Sequence, residues 1–176
     1  KYGLSPAREA EVKAECTVTV ERVEEPQRAA ELLAAWRKAD HVTVYALPDL
    51  AVLSIQWDTG ADTAAAAELQ ENAYHGDWQV LLTALFAADI RKVGHHIKDT
   101  MRNLLERGVD AEGYIFDTAL AAYLLDATAG SYDLQRLFVA YFNEELPKPT
   151  HLEKDAFTSL GDQAAAWAAL HSYGSA

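Results

Sequence analysis

A layered α/β domain is what this sequence predicts, and three observations predict it. Runs rich in β-branched residues crowd the first third of the chain, CTVTVERV at 16–23 and HVTVYAL at 41–47, followed by a longer apolar run, LAVLSIQWD at 50–58. From residue 78 onward, apolar residues recur mostly at helical spacing. Between these regions the two periods alternate, and such an order packs as a sheet covered by helices.

The elements follow in turn. Residues 1–15 are charged and alanine-rich with no apolar period, so they are expected to form an arm, ahead of a single domain spanning 16–176. After the first strand, Pro26 suits the first turn of a helix whose stripe is read as Ala30, Leu33, Ala34 and Trp36 to Arg37, ending before Asp40. The runs at 41–47 and 50–58, joined through Pro48-Asp49, pair as a hairpin that closes at Thr59-Gly60. ADTAAAAELQEN, 61–72, admits two readings: alanine prefers helix, whereas the hairpin context favours a third strand, which is the reading taken. Gly76-Asp77 leads into a helix over WQVLLTALFAAD, 78–89, with Val80, Leu81, Ala84 and Leu85 on one face, and IRKVG, 90–94, makes a short strand. A helix from Ile97 aligns Met101, Leu104 and Leu105 and ends at Gly108 in a left-handed cap. Tyr114, Ile115 and Phe116 are extended, Asp117 caps the helix TALAAYLLDA, and Asp133 caps LQRLFVAYF. Pro147 and Pro149 mark a loop, after which Asp162 caps a last alanine-rich helix through Leu170.

Composition excludes several classes of function. Half of the 176 residues are hydrophobic, enough for one sizeable core. Acidic residues outnumber basic ones by 27 to 15, and a net charge of −12 opposes holding nucleic acid by neutralising phosphates, so any DNA contact by this domain alone is expected to be weak. The single Cys16 rules out an internal disulfide and a cysteine-rich zinc site. That usage fits a cytoplasmic location, and no apolar stretch of roughly 18 residues indicates a membrane span. The abrupt start KYGLSPAREAEVKAEC and the end HSYGSA read as a piece of something longer.

KVGHHIKDT, 92–100, is the stretch that most looks like chemistry. Neighbours on a helix point about 100° apart, so His95 and His96 face one ion together only if Gly94 breaks the helix, while His95 and Asp99 could converge. No H-E-x-x-H and no Cys/His spacing supplies further ligands, which favours polar residues at a helix start over a metal site. Asp117 is explained by helix capping, and Asp126 and Asp133 by caps and turns, before any catalytic role is needed. Trp36, Trp57, Trp78 and Trp167 have no interleaved basic residues and read as packing residues rather than a base-stacking platform. Neither a G-x-S-x-G elbow nor a glycine-rich phosphate loop is present. Taken alone, these motifs name no enzyme.

The order of elements and one contiguous stretch, KVGHHIKDTMRNLLERGVDAEGYIFDTALAAYLLDATAGSYDLQRL at 92–137, carry a family resemblance. Together they resemble the 3′→5′ exonuclease, or proofreading, domain of family A DNA polymerases of the bacterial DNA polymerase I type. That family's pattern runs close to KVGQNLKYD, a helix, a G-[IV] turn, FDTMLASYLL and N-x-x-x-G-x-H-D-L. The chain matches it without a gap at Lys92, Val93, Gly94 and Lys98, at Leu104 and Gly108, at Phe116 to Thr118 and Tyr123 to Leu125, and at Gly130, Asp133 and Leu134.

The resemblance implies an RNase H-like (DnaQ-like exonuclease) fold, a central mixed sheet flanked by helices. It also implies that active relatives work through two divalent metals held by clustered carboxylates. The family's D-x-E motif falls here on Tyr45, Ala46 and Leu47, its second-motif aspartate on Thr100, and its last-helix Y-x-x-x-D on Trp167 through His171. Hard divalent cations want anionic oxygens that Tyr, Leu, Thr and His do not offer. The expectation is a vestigial domain that binds no metal, with Tyr45, Leu47 and Trp167 filling the former cleft, and Asp99, one position from Thr100, the one acid near enough to substitute. Its expected partner is the polymerase domain of the same parent chain, with DNA met through that parent and no membrane contact. Two rival readings are an active exonuclease relocated to His95, His96, Asp99 and Asp117, and a stand-alone protein-interaction module on the same fold.

Overall fold

The computed structural model describes residues 17–61, 63–143 and 145. The expected arm at 1–15, Cys16 and the expected last helix at 162–170 lie outside the described residues. The elements are β1 (Thr17–Arg22), α1 (Pro26–Lys38), β2 (Val42–Ala46), β3 (Val52–Gly60), β4 (Thr63–Gln70), α2 (Trp78–Leu85), β5 (Lys92–Gly94), α3 (Ile97–Glu106), β6 (Tyr114–Asp117), α4 (Thr118–Leu125) and α5 (Leu134–Phe142). The six strands form one mixed sheet in the order β1-β4-β3-β2-β5-β6. β2, β3 and β4 make an antiparallel meander, while β1 joins β4, β5 joins β2 and β6 joins β5, each in parallel.

The run of four alanines at 64–67 is strand, as read, although alanine prefers helix. β4 is a central strand, laddered to β1 on one side and β3 on the other, and the pairing on both edges outweighs a propensity difference of a few tenths of a kcal/mol per residue.

Cross-strand partners point to the same face, so the register sorts the sheet into two surfaces. One carries Val42, Val44, Leu53, Ile55, Ala67 and Leu69, all buried in the main core. α1 packs on this core with Ala29, Leu32, Leu33 and Trp36, and α2 with Trp78, Leu81, Leu82 and Leu85. The buried stripe of α1 is therefore rotated from the expected one, leaving Ala30, Ala34 and Arg37 exposed. On α2 Trp78 and Leu82 are buried in place of Val80. The other surface carries Thr43 and Tyr45 on β2, Ser54 and Gln56 on β3, and Glu68 on β4. Thr43, Ser54, Gln56 and Glu68 are buried, so this half of the interior is markedly more polar.

α2 ends at Leu85, four residues short of the expected 89, and the segment that follows wraps a buried lysine. The Lys92 ammonium donates to the Ala87 carbonyl at 2.9 Å and the Ile90 carbonyl at 2.6 Å, beneath the rings of Phe86 and Tyr114. Gly113, at φ +75°, closes over it, and a Cβ there would collide with the Ile90 carbonyl. Burial pulls Lys92 down to about 8. Below that pH the lysine is charged in both folded and unfolded chains. Above it the native state sheds the proton first, so the unfolded state binds more protons and stability rises with pH until about 10.5. Relative to Lys92→Met, wild-type stability should thus increase by up to about 3 kcal/mol between pH 8 and 10.5, read as urea midpoints at each pH. Parallel pH profiles for the two proteins would contradict it.

Candidate functional site

Strand β2 ends at the positions that drew attention in the sequence. Tyr45 pairs with Ser54 across the ladder, and the Leu47 N–H donates to the Val52 carbonyl at 3.1 Å. A tight turn closes there: the Leu50 N–H donates to the Leu47 carbonyl at 2.8 Å, and the Asp49 carboxylate accepts from the Ala51 N–H. Leu50 sits at φ +58°, a conformation costly for a branched residue, and is held there by complete burial and by Trp78, whose indole N–H donates to the Leu50 carbonyl at 3.1 Å. Nothing in the stretch LPDL signals that strain.

Leu47 is buried with Val52, and Tyr45 bridges that pair to a second apolar cluster of Ala122 on α4 and Leu134 and Leu137 on α5. Tyr132, Phe138, Tyr141 and Phe142 pack against the same cluster. Burial pushes the Tyr45 hydroxyl above the ordinary tyrosine value, further from a phenolate able to meet a cation. The expected filling of the space beyond β2 is therefore present at Tyr45 and Leu47; Trp167 and His171 lie outside the described residues.

KVGHHIKDT resolves into four different fates. His95 is buried, its Nδ1 2.7 Å from the Thr118 hydroxyl at the start of α4, and it is also tied to the backbone of Tyr132. The Thr118 hydroxyl lies 3.3 Å from the Gly94 carbonyl as well, so one small cluster fastens β5 to α4. His96 is exposed, in the left-handed region at φ +53°, one residue before α3 begins. Because α3 starts at Ile97, His95 and Asp99 do not share a helix face, and their expected convergence fails. Asp99 is exposed on the first turn of α3 and lies 3.8 Å from Arg102, and Thr100 is half-buried beside it.

Asp117 is a cap twice over. One oxygen accepts from the Ala119 N–H at 2.8 Å, the Leu120 N–H at 3.3 Å and the His96 N–H at 3.2 Å, and the other accepts from the Ile97 N–H at 2.9 Å. A single carboxylate thus closes the N-termini of α3 and α4, where free amides and both helix dipoles favour negative charge. Sequence reading found the cap on α4; the one on α3 joins residues 20 apart and leaves no local signature. Asp126 and Asp133 are likewise turn and cap residues. Asp126 accepts from the Thr128 amide and hydroxyl, ending α4 at Leu125 rather than at the expected Ala127, and Asp133 accepts from the Arg136 N–H.

Burial, reinforced by His96 next to it, lowers His95 to about 4. An unfolded histidine titrates near pH 6.5, so its contribution to stability is complete above that pH and is lost progressively as the pH falls toward 4. Wild-type stability should drop by about 3 kcal/mol more than that of His95→Gln across this window, measured as urea midpoints. Equal slopes would show that His95 is not the buried neutral group described.

Metal ions of the kind used by nucleases need several anionic oxygens on one spot. Among the described residues, no three His, Cys, Asp or Glu side chains gather into such a group. At the positions in question stand a desolvated phenol, an aliphatic side chain and a threonine, while Asp117 caps two helices and Asp99 faces Arg102. These residues do not fit a two-metal centre.

A mixed sheet with this strand order, covered by helices, defines an RNase H-like exonuclease fold, as solved structures show. The EXO domain of Aedes aegypti Nibbler superposes with a TM-score of 0.65 at 10% identity, covering 87% of this chain and 85% of that one. Escherichia coli RNase D, an exoribonuclease involved in structured RNA processing, superposes with a TM-score of 0.63 at 15% identity, over 89% of this chain and 45% of that one. The POL domain of Pol1 from M. smegmatis, in complex with DNA primer-template and dNTP, reaches a TM-score of 0.69 at 25% identity, covering 87% of this chain. This chain spans only 26% of that Pol1 chain. Curated protein sequences give no significant match. The 3′-5′ exonuclease family model of the family A DNA polymerases matches residues 41–171, and the chain belongs to that family.

Proposed function

We propose that the chain is a catalytically inactive 3′→5′ exonuclease-like domain of a bacterial DNA polymerase I. It serves as a structural body beside the polymerase domain of the same protein in DNA replication and repair. The observation that carries this reading is the set of residues at the family's acidic positions, Tyr45, Leu47, Thr100 and His171, with Trp167 in place of the last motif's tyrosine. Packing of Tyr45 and Leu47 into apolar clusters supports it, since those side chains occupy room that metals and a substrate strand would need. The net charge of −12 supports weak DNA contact by the domain itself, with DNA held by the parent protein. In this reading residues 1–15 are an arm, 16–176 are the domain, and the protein works in the cytoplasm.

The test is release of nucleotides from single-stranded DNA in Mg²⁺ or Mn²⁺, using the full parent polymerase without dNTPs. No release above a chelator-treated control is expected. Metal-dependent release, abolished by Asp99→Ala, would overturn the proposal and support Asp99 as a replacement ligand.

A further inference from the structure

Helix α4 is built inside out. Its inward residues are small, Thr118, Ala119 and Ala122, while its large apolar residues face solvent: Leu120 is 59%, Tyr123 48%, Leu124 76% and Leu125 69% exposed. TALAAYLL contains no charged residue. A surface helix ordinarily turns its apolar stripe to the core and its charges to water, and a contiguous exposed apolar patch of this kind marks a contact surface. Acid residues bound it at both ends, with Asp117 at the N-cap and Asp126 at the C-cap.

We propose that the outward face of α4, centred on Leu120, Leu124 and Leu125, is where this domain docks on the polymerase domain of its own chain. The inference rests on the functional reading given above. Two observations choose that occupant over a second copy of this domain. A second copy would bring another charge of −12 against an acid-bounded patch, which opposes self-association. A tethered neighbour is present at high effective concentration, and in the M. smegmatis Pol1 structure the matching region is only 26% of a chain whose solved portion is named as its POL domain. The complementary surface is accordingly apolar with basic residues at its rim.

Thiol reactivity in the full polymerase tests this, with Cys16→Ser and other reactive thiols removed. Leu124→Cys and, separately, Leu120→Cys are compared with Ala30→Cys on the exposed side of α1, using an uncharged maleimide. Docking predicts labelling at 124 and 120 at least about tenfold slower than at 30, independent of protein concentration. Equal rates at the three positions overturn the proposal, and so does protection that disappears on dilution, which would mean a second copy covers the face. Leu120→Cys and Leu124→Cys are read separately, so that a folding defect at one position does not decide the result. The nuclease assay on the same proteins is a separate readout: metal-dependent activity sinks the functional reading, whereas labelling reports only on docking.

Discussion

Restoring the family's acids at the end of β2, Tyr45→Asp with Leu47→Glu, is expected to unfold the domain rather than revive a nuclease. Leu47 is buried against Val52, and burying a leucine is worth roughly 1.5–3 kcal/mol. Tyr45 joins that pair to the Ala122, Leu134 and Leu137 cluster, so its loss opens a gap between sheet and helices. Each new carboxylate then sits in apolar surroundings with no cation to meet it, at a further cost of a few kcal/mol. The double variant should lose about 4–6 kcal/mol, a large fraction of the stability of a domain this size. Urea titration with an unchanged slope would read this as a shift in midpoint. A loss below about 1 kcal/mol would mean that both positions are open to water and that the former cleft is not filled.

Asp117→Ala is expected to cost about 2–4 kcal/mol, because a cap is worth about 1–2 kcal/mol and this carboxylate serves two helices. Asp117→Asn retains one acceptor oxygen but not the charge, and should fall between alanine and wild type. Thermal unfolding of the three proteins checks the order. Should alanine cost no more than about 1 kcal/mol, the worth of one cap, water is replacing the carboxylate at one of the two helix ends.

The sequence was legible where the chain speaks to its near neighbours. Strand runs, the hairpin through Pro48-Asp49, and the caps at Asp117 and Asp133 follow from residues within a few positions. It was less legible where alanine blurs the contrast between faces. In α1 the buried Ala29 and the exposed Ala30 are the same residue type, and only the position of Trp36 and Leu32 on the core distinguishes them. The segment after α2 reads as helix in isolation, whereas it folds around Lys92, whose bonds to the Ala87 and Ile90 carbonyls leave no local signature. As for the candidate site, its positions could be found only through a frame of matched residues around them. Tyr45, Leu47 and Thr100 have no chemistry that draws the eye, whereas His95 and His96 do and prove to be a buried fastener and an exposed left-handed residue before α3.

The bond from Trp78 to the Leu50 carbonyl ties helix α2 to the turn that ends strand β2. Trp78 belongs to α2, packed on the apolar face, whereas Leu50 forms the turn that ends the strand bearing Tyr45. Opening that turn would strand a buried indole N–H and expose Leu50, so the turn moves only if α2 yields too. A lesion in α2 at Trp78 would therefore be felt as a loosening of the turn that follows Tyr45 and Leu47.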